Sequence, residues 1–255
     1  MRVWLGRALW LLACVASVGA QASVALSGTR LIFDGHDREV GLPVTNRGAQ
    51  EVLLQAVLSA PQDDDDTPAA RRSALPFVVT PHLQRLAGGE QQTLRVIYQG
   101  EGMPDDRESL LHLYVTQVPP RTEGLSRLNI AVRQRINVFY RPPGIQGDPA
   151  QAAETLSWAF ETSAQGERVL QVSNPTAYHA SLQAVHLDTR RVSDYLLLAP
   201  GAVHRWPLSI SYQPRQLRFK ALTDYGGQRD YCATITQDAA FSARLRDSTQ
   251  FQEEC

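Results

Sequence analysis

Long apolar runs are what this 255-residue chain most lacks. Beyond its first residues no stretch approaches the ~18 consecutive apolar residues of a spanning helix, so no membrane insertion is expected of the mature chain. A basic excess is absent too: 25 Lys and Arg stand against 26 Asp and Glu, for a net charge of −1. That balance argues against nucleic acid as a partner. Catalytic signatures are missing: there is no G-x-S-x-G, no H-E-x-x-H, no C-x-x-C and no glycine-rich phosphate loop after a strand. The six histidines (His36, His82, His112, His179, His186 and His204) show no ligand spacing and read as surface or strand residues. No metal, no cofactor and no enzymatic activity is therefore expected. The acidic run Gln62-Asp63-Asp64-Asp65-Asp66 lacks the spacing and glycine bend of a calcium loop, and reads as a solvated loop.

The N-terminus is a different kind of segment. Arg2 and Arg7 precede the apolar run from Ala8 to Val18, and Ala20-Gln21-Ala22 is a small-x-small site. Residues 1–22 therefore read as a secretory signal peptide cleaved after Ala22. Leu11-Leu12-Ala13-Cys14 is similar to a lipoprotein cleavage site, but the apolar stretch before Cys14 is short, and Ala22 remains the expected site. Export implies an oxidising compartment. Cleavage leaves Cys232 and Cys255, which either form a disulfide tying down the C-terminus or stay separate thiols; the even pair favours the disulfide.

Alternation with period two runs through the rest. Leu42–Thr45, Val52–Val57, Thr93–Tyr98 and Leu111–Val115 read as strands. The clearest is Leu128–Tyr140. Leu128, Ile130, Val132, Ile136 and Val138 share one face, with Gln134 the single polar member, and the other face carries Asn129, Arg133, Arg135 and Asn137. Turn signals at Asn46-Arg47-Gly48, Gly88-Gly89 and Met103–Asp106 separate the strands. Arg141-Pro142-Pro143-Gly144 reads as the start of a linker, and strands resume near Thr155–Trp158. The expected class is all-β: two immunoglobulin-like β-sandwich domains, 23–141 and 151–255, joined by a linker at 142–150.

Several segments, in order, carry a resemblance. They are Leu26–Asp34, Val44–Gly48, Phe77–Leu86, Pro104–Ser109 running into Val118-Pro119-Pro120, Ile136–Pro142, Asn174-Pro175-Thr176 and Thr223–Gly227. Together they make the chain resemble the periplasmic pilus (fimbrial) chaperones of the chaperone–usher pathway. The resemblance implies a boomerang of two immunoglobulin-like domains that binds pilus subunits lacking their last strand. Such a chaperone lends its long strand, inserts alternate side chains into the subunit's groove, and delivers the subunit to an outer-membrane usher. Leu128, Ile130 and Val132 are the side chains expected to insert, whereas Ile136 and Val138, nearer the linker, are expected in the chaperone's own core.

In that family an arginine on the first strand and a lysine on the long strand hold the subunit's C-terminal carboxylate. Arg30 matches the arginine, but Asn137 stands at the lysine's position. Arg135 lies about 7 Å back along the same face, so the expected anchor is Arg30 with Arg135, assisted by Asn137. Glu108, Arg141 and Asp224 match a charged network that lies between the domains in the family. The short connection from Pro120 to Leu128 is similar to that of the members that build rod-type pili. An uncovered apolar edge also allows the free chaperone to self-associate. The other reading is an exported structural or adhesive fibre component. That reading predicts an N-terminal donor extension, and the first strand, expected from Leu26, leaves no room for one.

Overall fold

The computed structural model describes residues 23–63, 67–120, 129–208, 212–236, 239–246 and 255. The expected signal peptide lies outside them, and so does Leu128. Nine strands precede the proline-rich segment: β1 (Val24–Leu26), β2 (Arg30–Asp34), β3 (Glu39–Asn46), β4 (Val52–Ser59), β5 (Phe77–Thr80), β6 (Leu83–Leu86), β7 (Gln91–Tyr98), β8 (Ser109–Val118) and β9 (Val132–Arg141). They form a four-stranded sheet β1-β3-β7-β5 and a five-stranded sheet β2-β9-β8-β4-β6. The alternation of the sequence becomes the space between these sheets. Leu111, Leu113 and Val115 of β8 and Ile136, Val138 and Tyr140 of β9 are buried there with Leu31 and Phe33 of β2. Phe33, Phe77, Tyr98 and Tyr140 pack with ring centroids 4.7–6.3 Å apart.

A one-turn helix, α1 (Ala152–Thr155), follows. A strand was expected to start at Thr155; Asp148, accepting a hydrogen bond from the Ala150 backbone, instead caps a helical turn, and β10 begins at Ser157. The second group is β10 (Ser157–Thr162), β11 (Arg168–Ser173), β12 (Ala180–Leu187), β13 (Arg190–Leu198), β14 (Val203–Leu208), β15 (Gln216–Leu222), β16 (Gln228–Thr234) and β17 (Arg244–Leu245). It forms a three-stranded sheet β10-β11-β14 and a five-stranded sheet β13-β12-β15-β16-β17 around a separate core centred on Trp158, Leu182 and Phe219.

Each half is pinned by a buried asparagine. Asn46 donates its amide to the carbonyls of Gln50, Leu86 and Ala87. Asn174 does the same to those of Tyr178, Leu198 and Ala199. Both side chains are at most 1% exposed, and these bonds keep them from being unsatisfied polar groups. The acidic loop departs from its expected solvation at one position: Asp63 is buried because its carboxylate accepts from the Ser73 backbone and hydroxyl. Asp64–Asp66 lie outside the described residues.

Candidate functional site

The two halves meet at a cavity of about 120 Å³, lined among others by Arg30, Glu108, Phe139, Arg141, Asp224 and Tyr225. Arg141, the last residue of β9, reaches across it. Its Nε donates to Glu108 at 2.7 Å, and its two terminal nitrogens donate to the two oxygens of Asp224 at 2.7 and 2.8 Å. Burial alone would lower the Arg141 pKa, but the bonds to Asp224 and the charge of Glu108 raise it above its ordinary value. Asp224 is presented by a tight turn in which the Thr223 N–H donates to the Gly227 carbonyl, the Gly226 N–H donates to that of Thr223, and Gly226 has a φ of +78°. Only glycine takes that conformation without strain, and a Cβ there would also press on the Thr29 hydroxyl at 3.0 Å. Glu108 precedes β8 and is 3% exposed. Its second oxygen accepts from both the backbone and Nδ1 of His179, each at 2.8 Å. Sequence reasoning missed this fourth member. Its only signal was a histidine placed two residues beyond the Asn-Pro-Thr-Ala turn.

Arg30 lines the same cavity in a different electrostatic state. Its Nε is buried without a hydrogen-bond partner, and the guanidinium makes no ion pair among the described residues. It lies 5.6 Å from the centroid of the Phe139 ring. Burial lowers its pKa; Tyr195, Asp224 and Glu108 oppose that from a distance, and Arg141 adds to it. A half-buried cation without a counter-charge is a place where an anion is stabilised.

The strand pairing sets what surrounds it. β2 runs parallel to β9 and pairs Arg30 with Asn137 through to Asp34 with Arg141. On its other side β9 pairs antiparallel with β8 from Val132 to Tyr140. Residues 132–136 of β9 therefore keep one edge unpaired among the described residues, and that open edge ends where Arg30 begins. Arg135 is exposed, one pleat repeat back from Asn137 on the same face. The structure thus brings Arg30, Asn137 and Arg135 onto one surface.

Among the described residues the long strand starts later than its alternation suggests, since residues 129–131 are not in it. The ladder begins there at Val132, which pairs with Gln117, and Leu128 lies outside the described residues. Ile130 lies outside the ladder and is 61% exposed. Val132 is half-buried, while Ile136 and Val138 are core residues. Period two reports which face a side chain takes, not whether a partner strand runs alongside. Cys232 of β16 and Cys255 are joined as a disulfide. No helix among the described residues is long and apolar enough to cross a membrane.

Residues 23–146 match the family described as pili and flagellar-assembly chaperone, PapD N-terminal domain, and residues 151–233 match its pili assembly chaperone C-terminal domain. The chain is 31% identical over 233 residues to the probable fimbrial chaperone YadV of Escherichia coli strain K12, covering 86% of this chain and 93% of that one. It is 33% identical over 234 residues to the chaperone protein FimB/FhaD of Bordetella pertussis, covering 85% and 89%. Among solved structures, the Salmonella enterica SafA pilin in complex with the SafB chaperone matches with a TM-score of 0.70 and 27% identity, covering 86% of this chain and 99% of that one. The crystal structure of YadV matches with a TM-score of 0.67 and 27% identity, covering 84% and 100%.

Proposed function

The chain belongs to the pilus-assembly chaperone family, and on that premise we propose that it captures pilus subunits by lending them the open edge of β9. The family is a periplasmic, non-enzymatic class. The relatives are chaperones, so the fibre-component reading is not carried forward. The observation that carries the proposal is the edge of residues 132–136, unpaired among the described residues, which terminates at an arginine that makes no ion pair among them.

The geometry gives the subunit strand a direction. A strand added along 132–136 occupies the line that β2 takes up at Arg30. If its last residue delivers a carboxylate to Arg30, it must run toward the C-terminal end of β9, parallel to it. Main-chain bonds to the open edge supply pairing, and Ile130 and Val132, with Leu128 before them, supply the inserted side chains. Each such side chain contributes roughly 1.5–3 kcal/mol when it leaves water. Arg30 is the principal carboxylate partner; Arg135 adds charge, and Asn137 donates a neutral hydrogen bond.

Glu108, Arg141 and Asp224 fix the angle between the halves, so that the cavity stays open at the end of the added strand. Buried charges of this kind specify geometry more than they stabilise it. The division into 23–141 and 151–255, joined at 142–150, belongs to the same reading and is supported by two separate cores. So does delivery of the subunit to an outer-membrane usher, and self-association of the free chaperone over its open edge. The disulfide acts as a staple of the C-terminus and takes no part in chemistry.

The test is capture from the native periplasm. Tagged protein is recovered and whatever co-purifies is identified by mass spectrometry. A small secreted β-protein near one-to-one is expected with the wild type and absent with Arg30→Ala. Recovery of the chaperone with only itself would contradict the reading. Capture that survives Arg135→Ala undiminished would remove Arg135 from the anchor.

A further inference from the structure

Two strands in from Arg30, a histidine sits where the described residues give one of its nitrogens nothing to bond. His112 of β8 lies opposite Asn137 of β9, and Asn137 lies opposite Arg30 of β2. Three adjacent strands thus carry Arg30, Asn137 and His112 side by side. All three are on the face away from the core, since Leu111 and Leu113 point into it. His112 is only 9% exposed, yet its Nδ1 is enclosed without a partner, as is Nε of Arg30. No side-chain hydrogen bond holds the Asn137 amide among the described residues. Three nitrogen-bearing groups in one row, without hydrogen-bond partners among the described residues, contrast with the saturated Asn46 and Asn174.

The groups facing His112 are few. From β9 come Arg135 and Asn137. From β4 comes Ser59, directly opposite, whose hydroxyl contacts the Ala60 carbonyl. On its own strand Tyr114 lies 6.1 Å away, edge to face. Burial first, and Arg135 second, hold the imidazole below its ordinary pKa. The ring is therefore neutral at neutral pH in the unoccupied chaperone. A carboxylate that accepts from the Asn137 amide sits over β9, one strand spacing of about 4.8 Å from the line of His112. An opposite charge at ~4–6 Å favours the protonated ring.

We infer that His112 is a proton-linked positioning residue of the subunit-carboxylate anchor, supplying on binding the positive charge that Asn137 lacks. This rests on the anchor reading given above. The sign follows. The free ring binds its proton weakly and the occupied site binds it more strongly, so capture takes up a proton and tightens as pH falls. A terminal carboxyl, with a pKa of about 3.5, stays ionised throughout the range in which histidine titrates.

The experiment uses the mature chain and a synthetic peptide of alternating apolar residues ending in a free carboxylate, together with the same peptide amidated. Binding is measured by calorimetry at about pH 7.5 and about pH 5.5, in two buffers of different ionisation heat. The acid peptide is expected to bind about five- to tenfold tighter at the lower pH, with fractional proton uptake. His112→Gln keeps a polar side chain without the charge and should lose both effects while melting normally. Asn137→Lys installs a permanent cation and should also remove the pH dependence. Suppose the acid peptide is preferred over the amide, and that preference needs Arg30, but neither pH nor His112→Gln alters it. The role of His112 is then overturned and the anchor stands. If acid and amide peptides bind the wild type alike, the anchor itself fails.

Discussion

Arg141 and Arg30 line the same cavity and have opposite environments. Arg141 is clasped by two carboxylates at 2.7–2.8 Å, and its pKa is raised. Arg30 is half-buried beside Phe139 with no ion pair among the described residues, and its pKa is lowered. Folding satisfies the first arginine from within the chain. The second is left for something outside it. A buried cation without a partner has an unfavourable desolvation term that an incoming carboxylate removes, so the same imbalance that weakens the free protein strengthens the complex. The contrast sorts residues into those that hold the fold's angle and those that hold a client.

The largest effect should come from breaking the satisfied side. Arg141→Ala leaves Glu108, 3% exposed, without its guanidinium partner. A loss of about 3–5 kcal/mol in urea unfolding is expected, with capture impaired as a consequence of lost geometry. Next comes the unsatisfied side. Arg30→Ala should change unfolding by no more than about 1 kcal/mol, because only an aromatic contact is lost, yet weaken subunit binding by about 10- to 100-fold. A comparable loss of stability in both variants would erase the distinction. Ile130→Ser tests the strand itself. The residue is 61% exposed, so thermal unfolding should not move, while binding falls by about tenfold as one inserted side chain is lost. The smallest effect is a gain: Asn137→Lys should tighten binding by about fivefold, the difference between a charged and a neutral hydrogen bond.

Much of this was legible before the structure, and the failures share a cause. Alternation located β9, and the expectation drawn from the resemblance, that Ile136 and Val138 lie in the core, holds. Among the described residues the ladder starts at Val132, although period two persists through residues 129–131, where no neighbouring strand pairs; Leu128 lies outside the described residues. Arg30 and Asn137 could be named only through the family resemblance, Arg135 was added from its spacing along the strand, and their common surface follows from β pairing at fixed pleat. The histidines could not be read. His179 joins Glu108 across 71 residues of chain. His112 is enclosed by strands on either side, and spacing along one strand carries no record of either. Asp63 was likewise hidden, because its partner Ser73 lies at the far end of the same loop. Local pattern conveys which way a side chain faces. Whether a polar group finds a partner depends on contacts distant in sequence.

The most direct measurement is a double-mutant cycle between chaperone and client end. Affinities of a strand peptide with a free C-terminal carboxylate and of its amide are compared in the wild type and in Arg30→Ala. The account predicts that amidation costs about 10-fold or more in the wild type and almost nothing in Arg30→Ala. Equal losses on amidation in both proteins would mean that Arg30 does not hold the carboxylate, and that its missing partner lies elsewhere.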